Sequence, residues 1–141
     1  MAVRVRRVSS PEEIKQAFAI RLRVSVREQK VPAEIELDSD DQQAVHFLAL
    51  KSERAVGTAR LVLRRGSAKI GRMAVLKTYR RQGVGTKLLN RAVSTARRLG
   101  ARKIYLHAQV PVIGFYEAMG FRRVGAIFDE AGIPHRKMVL G

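Results

Sequence analysis

The chain contains no cysteine, which excludes a disulfide framework, a thiolate metal site and a cysteine nucleophile. Histidines number only three, at positions 46, 107 and 135, and their scatter lends a metal centre no support. No apolar run approaches the ~20 residues a membrane-spanning helix needs, and Met1-Ala2-Val3-Arg4 does not open a secretory signal. A cytoplasmic protein that stays out of the membrane is therefore expected. Aromatic residues make up 6% of the chain and nowhere interleave with basic residues as a base-stacking surface requires. Acidic residues are missing altogether from Arg54 to Tyr116, a span that holds 15 Lys and Arg.

What is present bounds the class. A chain of 141 residues with 46% apolar content suits one domain, 1–141, with a real core. The formal net charge of +16 invites a nucleic-acid reading, but its distribution is uneven. Six of the 12 acids cluster between Glu28 and Asp41: Glu28, Glu34, Glu36, Asp38, Asp40 and Asp41. One region suits a polyanion and another a cation, as in a protein with two substrates. Such an acidic stretch either steers a cationic amine or offsets a basic surface.

Taken in order, Ala2 to Val8 alternates apolar and basic residues, a first strand. Ser10-Pro11-Glu12-Glu13 starts a helix, with Ser10 as N-cap and Glu13 closing a capping box. Ile14, Ala17 and Phe18 form its buried stripe, and the helix runs to about Arg27 before Val31-Pro32 breaks it. The acidic stretch to Gln43 is expected to be loop with a short helix. Strands are predicted over 44–51, 55–65 and 68–75, a helix over about 84–99, and a strand over 103–108. A short helix over 111–119, a strand over 121–128, a turn-rich loop over 129–134 and a last strand over 135–140 complete the pattern. The order β-α-(α)-β-β-β-α-β-α-β-β predicts a mixed sheet with helices on both faces.

The most informative stretch is Arg72 to Gly100. Met73-Ala74-Val75 ends a strand, Tyr79-Arg80-Arg81-Gln82 makes a basic turn, and Gly83 and Gly85 open an amphipathic helix. Glycines bare the backbone N–H groups, and a helix start adds unpaired donors and a favourable dipole for an anion. A phosphate-bearing ligand is implied. Gly83-Val84-Gly85-Thr86-Lys87-Leu88 lacks the third glycine of a dinucleotide fingerprint and the later acid that holds a ribose. It also lacks the Gly-Lys-Ser/Thr of a Walker A loop.

The fuller pattern is more specific. Met73-Ala74-Val75, Arg80-x-x-Gly83-x-Gly85 opening a helix, a strand, and then Phe115-Tyr116-Glu117-Ala118-Met119-Gly120-Phe121 together resemble the GNAT N-acetyltransferase superfamily. Val26 to Glu34, Ala108-Gln109 and Phe128 to His135 resemble its ElaA-like branch. The resemblance covers essentially the whole chain. It implies an α/β (α+β) GNAT fold, a mostly antiparallel mixed sheet of about seven strands flanked by helices. It implies an N-acetyltransferase that uses acetyl-CoA as co-substrate, without a metal, and moves the acetyl group to a primary amine by direct attack. Dimers are common in this superfamily, so a homodimer is a further expectation.

The same resemblance assigns roles. Arg80, Arg81, Gln82, Gly83, Val84, Gly85, Thr86 and Lys87 would cradle the pyrophosphate. The backbone of Met73, Ala74 and Val75 would pair with the pantetheine arm like an added strand, and an N–H there would stabilise the developing oxyanion. Phe115 would line the cofactor, Gln109 would hold a pantetheine amide, and Tyr116 would give a proton to the leaving thiolate. A general base is harder to place. The glutamate many members carry on the fourth strand is missing from Ile70-Gly71-Arg72-Met73. Glu28 is the first substitute, with His46, His107, His135 and water as alternatives. That missing carboxylate also supports a rival, a non-catalytic acyl-CoA-binding regulatory module. A nucleic-acid-binding protein is the weaker rival, since no helix-turn-helix signature accompanies the charge.

Overall fold

The spacing of apolar residues resolves into a sheet faced by helices in the computed structural model, which describes residues 2–141. In chain order the elements are β1 (Val3–Arg7), α1 (Pro11–Arg21), α2 (Ala33–Glu36), β2 (Val45–Lys51), β3 (Arg54–Arg64) and β4 (Ser67–Val75). They continue with α3 (Val84–Arg98), β5 (Lys103–Gln109), α4 (Ile113–Ala118), β6 (Phe121–Glu130) and β7 (Ile133–Leu140). The sheet order is β1-β2-β3-β4-β5-β7-β6, and only the β4–β5 pair is parallel.

α1 begins as its sequence predicts, with the Ser10 hydroxyl accepting from the Glu13 N–H at 3.3 Å. Glu13 itself reaches one residue further back than a capping box would: its carboxylate accepts from the Ser9 N–H at 2.9 Å and pairs with Arg6. The helical path extends to Glu28, but from Leu22 it widens into a π-helical segment. The acidic stretch is more ordered than the loop expected, with α2 followed by a 3₁₀ turn, Ser39–Gln42, capped by Asp38.

Two layers flank the sheet. α3 buries Val84, Leu88, Leu89, Ala92 and Ala96 against Phe47, Val56, Leu61, Ile70 and Leu106. Close approach here requires Gly57, because a Cβ at that position would stand 3.0 Å from a Val84 methyl and 3.3 Å from the Ala74 carbonyl. On the opposite face Ala17 and Ile20 of α1, with Val24, pack on Leu48 and Ala74. The stripe thus runs through Ala17 and Ile20; Ile14 and Phe18 are only half-buried.

The predicted loop over 129–134 is instead a tight hairpin. β6 runs on to Glu130, β7 starts at Ile133, and only Ala131 and Gly132 turn, with φ of 54° and 79°. Two left-handed residues in succession make the two-residue turn whose twist matches the strands it joins. That register sets Phe128 opposite His135 and Glu130 opposite Ile133.

Candidate active site

The site begins where β4 and β5 part. Their parallel pairing covers only Ser67–Ile70 against Lys103–Leu106. Beyond it β4 turns away, and a bulge marks the departure: Thr58 and Arg60 of β3 face Ala74 and Gly71, so β4 carries one residue more across this interval. Arg72, within the bulge, has φ of 50°. Bulges bend a strand and increase its twist, and here the bend leaves the β5-facing edge of Gly71–Val75 without a strand partner.

That free edge leads into the basic turn. Lys77–Tyr79 forms a 3₁₀ turn, Arg81 and Gly83 take left-handed φ of 62° and 80°, and α3 starts at Val84 with no side chain capping it. The first amides of α3 therefore lack a side-chain acceptor, the condition in which a helix start takes an anion. A Cβ on Gly85 would lie 3.6 Å from the Phe115 ring and 4.0 Å from the Met73 sulfur. β4, α3 and α4 thus converge on one glycine.

The turn's cations are not all equally free. Arg80 donates through Nε to the Val75 carbonyl at 2.8 Å and through Nη2 to Glu28 at 2.8 Å. Glu28 is thereby tied to the turn as the partner of Arg80. Lys87 instead donates to the Val3 carbonyl on β1, at 2.7 Å. Lys51, which the sequence pattern did not single out, donates to Gln82 at 2.8 Å and brings a further cation to the turn. Gln109, at the end of β5, exchanges amide hydrogen bonds with Gln29 at 2.9 and 3.2 Å, joining the π-helical segment's end to β5.

Tyr116 is packed edge-on between Phe115, 5.0 Å away, and Phe121, 6.1 Å away. Burial pushes its phenol up to about 12, so it carries its proton throughout the physiological range. His46 is buried, with Nε2 2.9 Å from the Asp41 carbonyl and its ring against Phe18, and burial lowers its pKa. It packs as a core histidine. His107 and His135 gather at the tip of the β6–β7 hairpin with Glu130: His107 Nδ1 is 2.9 Å from its carboxylate and His135 Nε2 is 3.7 Å away. Glu130 escaped the sequence pattern because its approach depends on the hairpin register. The Ala131-Gly132 pair was the available signal.

The acidic stretch is largely consumed internally. Arg21, 1% exposed, holds Glu36 at 3.0 Å and Asp41 at 2.8 Å. Arg60 takes Asp38 and Asp41, Arg72 takes Asp38 and the Ile35 and Glu36 carbonyls, and Arg64 takes Asp40. Burial works to raise the Asp41 carboxyl, but its hydrogen bonds to Arg21 and Arg60 outweigh that and hold it at about 2. These acids anchor α2 and the 3₁₀ turn to the sheet. Their charge is spent on arginines.

The fold has counterparts among known proteins. A family model described as an acetyltransferase (GNAT) domain matches residues 8–141. The chain belongs to the GNAT acetyltransferase family. Within it, the chain is 36% identical over 129 residues to the uncharacterized N-acetyltransferase YjcF of Bacillus subtilis, covering 91% of this chain and 92% of that protein. It is 30% identical over 132 residues to ElaA of Escherichia coli, covering 89% and 86%. The crystal structure of ElaA superposes with a TM-score of 0.88 over 99% of this chain and 100% of that one, at 26% identity. That of an acyl-CoA N-acyltransferase from Pseudomonas aeruginosa superposes with a TM-score of 0.85 over 99% of both chains, at 28% identity. The fold is thus the GNAT fold, α+β, and the ElaA-like resemblance holds. Among the described residues no cluster of metal-ligating side chains occurs, and no helix is long and apolar enough to cross a membrane.

Proposed function

We propose that the protein is an acetyl-CoA-dependent N-acetyltransferase, one catalytic domain over 1–141, acting in the cytoplasm on a primary amine of a small-molecule or peptidyl acceptor. The observation that carries this is the unpaired edge of β4 over Gly71–Val75 leading to the uncapped start of α3. An acyl-CoA fits that arrangement: a strand-like arm needs backbone partners, and a pyrophosphate needs bare N–H groups. The space kept open at Gly85 between Phe115 and Met73 fits it too.

Acetyl-CoA supplies an acetyl group as a thioester open to attack by an amine. The backbone of Met73, Ala74 and Val75 binds and orients the arm, and an N–H from this edge faces the carbonyl oxygen as charge develops. Arg80 to Thr86 hold the pyrophosphate, with Arg81 and Lys51 adding positive charge. Phe115 lines the cofactor, and Gln109, positioned by its amide bonds to Gln29, holds a pantetheine amide. Tyr116 keeps its phenolic proton at neutral pH and gives it to the departing thiolate.

Gly83→Glu tests the cofactor assignment. Gly83 is left-handed and exposed, and a Cβ there would meet nothing within 4 Å, so a glutamate adds strain and like charge without disturbing the core. Calorimetry with acetyl-CoA should show binding lost while far-ultraviolet circular dichroism stays unchanged; unaltered affinity would remove the assignment. One observation favours a second reading, an acyl-CoA-binding regulatory module. Ile70-Gly71-Arg72-Met73, the stretch of the fourth strand in which many members carry a basic glutamate, holds no carboxylate, and Arg72 within it is engaged with the Glu36 carbonyl and Asp38. Tight acetyl-CoA binding without release of free CoA across amines, polyamines, amino sugars and peptide N-termini would favour that module.

A further inference from the structure

Beside the parting of β4 and β5 lies an uncovered strip of sheet. Ile104, Leu106 and Ala108 of β5 are buried toward α3, so strand alternation turns Tyr105, His107 and Gln109 to the opposite face. Directly across on β7 stand Val139, Lys137 and His135. His107 follows Leu106, the last β5 residue paired with β4. It therefore stands one residue beyond the fork whose other arm is the Met73–Val75 edge.

His107 is prepared as a base. The Glu130 carboxylate, 2.9 Å from Nδ1, accepts a hydrogen bond from Nδ1–H, which leaves the lone pair on Nε2. Phe128 supports the ring edge-on at 5.0 Å. Burial lowers the His107 pKa, Lys69 from β4 and His135 from β7 push the same way, and Glu130 from β6 opposes them. The neutral imidazole prevails at physiological pH.

The neighbouring groups are cations. Lys137 and Lys103 lie 4.9 and 5.7 Å from the centre of the Tyr105 ring, which is itself 6.1 Å from the His107 ring. The charge of Lys103 lowers the pKa of Lys137, the mark of two ammoniums held close together. Arg64, Arg65 and Ser67 complete a concavity of about 550 Å³ around them. Among the described residues only Arg64 of these cations has a carboxylate partner, Asp40. The acids of the acidic stretch are largely bound to arginines, and Arg65, Lys103 and Lys137 are left without a carboxylate partner among the described residues. Three unpaired cations around one aromatic platform suit a dianion better than a single carboxylate.

We infer that this face of β5 and β7 is the acceptor subsite, and that the acceptor is an amine bearing a phosphate group. The phosphate docks on Lys103 and Lys137 over Tyr105, and His107, positioned by Glu130, takes the proton of the amine. The inference rests on the proposed acetyl transfer. Tyr105 and His107 are one strand repeat apart, about 7 Å, so the spacer between amine and phosphate is short. The alkylammonium gives one proton to His107 Nε2, which passes it to water. The freed nitrogen then forms the C–N bond as the C–S bond breaks and Tyr116 gives its proton to the departing thiolate. The acylated nitrogen releases its second proton to water, and the Tyr116 phenolate takes one back from water, so one proton in all reaches solvent.

The test uses the full chain and ω-aminoalkyl phosphates of two to four carbons, with the matching amino alcohols, ω-amino carboxylates and inorganic phosphate as controls. Nuclear magnetic resonance follows the imidazole signals, with that of His107 identified by its loss in His107→Gln. The aminoalkyl phosphates should shift the His107 signal saturably and at least tenfold more tightly than every control. Lys103→Glu combined with Lys137→Glu should abolish that preference while acetyl-CoA affinity, by calorimetry, stays unchanged. For turnover of the best probe, kcat/KM should rise with pH through an ionisation below 6.5 that is absent in His107→Gln and displaced to lower pH in Glu130→Gln. Inorganic phosphate or amino carboxylates binding equally well would overturn the inference. So would a preference that survives the charge reversals, or the same ionisation in His107→Gln. Failure of acetyl-CoA itself to bind would strike the acetyltransferase proposal, whereas the phosphate preference is read independently of it.

Discussion

Tyr116 owes its chemistry to its neighbours. Held between Phe115 and Phe121, it keeps a phenolic proton up to about 12, which suits a donor to a thiolate and rules out service as a base at neutral pH. Replacement by Phe preserves the packing and removes only the proton. Tyr116→Phe should therefore lower kcat by on the order of 10²-fold while the acetyl-CoA dissociation constant from calorimetry barely moves. Equal turnover would end the general-acid role. Glu28 illustrates the reverse case. Its sequence position made it the first substitute for the missing base, but its carboxylate is engaged at 2.8 Å by Arg80. A carboxylate so placed steadies the cation of the turn. Residue type and approximate location were legible here, whereas the partner that decides the role lies 52 residues away.

At the scale of elements, the segment from α2 through the 3₁₀ turn is too short to hold its own shape, since isolated helices need about 12–15 residues. Arg21, Arg60 and Arg72 hold it instead. Removing one partner from a buried ionic cluster strands the others, at about 3–5 kcal/mol. Arg21→Met should therefore lower the unfolding free energy by about that amount in urea titration, and a loss under about 1 kcal/mol would show that the cluster does not anchor the segment. The pH dependence has a definite sign. Asp41 has a folded pKa of about 2 against an ordinary 3.8, so its contribution is present above 3.8 and disappears as pH falls through about 2. Acid unfolding followed by circular dichroism between pH 4 and 2 should be less steep in Asp41→Asn than in the unaltered chain. The β6–β7 hairpin is the element whose boundaries the residue pattern misplaced. Pro134 and Gly132 suggested a loop, but two consecutive left-handed residues close a hairpin and bring Glu130 to His107.

For the whole molecule, the net charge of +16 bears on association more than on fold. The acidic stretch pairs with Arg21, Arg60, Arg64 and Arg72, so the positive excess remains on the glycine turn, the end of α3, and Lys103 and Lys137. Such a surface attracts polyanions without specificity. Binding of a 20-base-pair duplex, followed by fluorescence anisotropy, should weaken by about 10³-fold between 50 and 200 mM salt. Acetyl-CoA, with few charges and many directed contacts, should lose about tenfold or less over that range. The opposite ranking would make nucleic acid the more specific ligand and reverse the functional assignment.

Local physics determined much of this protein before any tertiary contact. Apolar spacing marked the strands and α3, capping residues marked the start of α1, and the glycine turn marked the start of α3, because each depends on neighbours within a few residues. The elements that carry the proposed cofactor half, the end of β4, the turn and the start of α3, are contiguous pieces of this kind and were legible. The other half is not contiguous. The fork between β4 and β5 arises from a bulge and a register, Glu36 and Asp41 meet Arg21 across 15 and 20 residues, and His107 meets Glu130 across 23. Such encounters are decided by which strands pair and where they part, which only the folded chain determines.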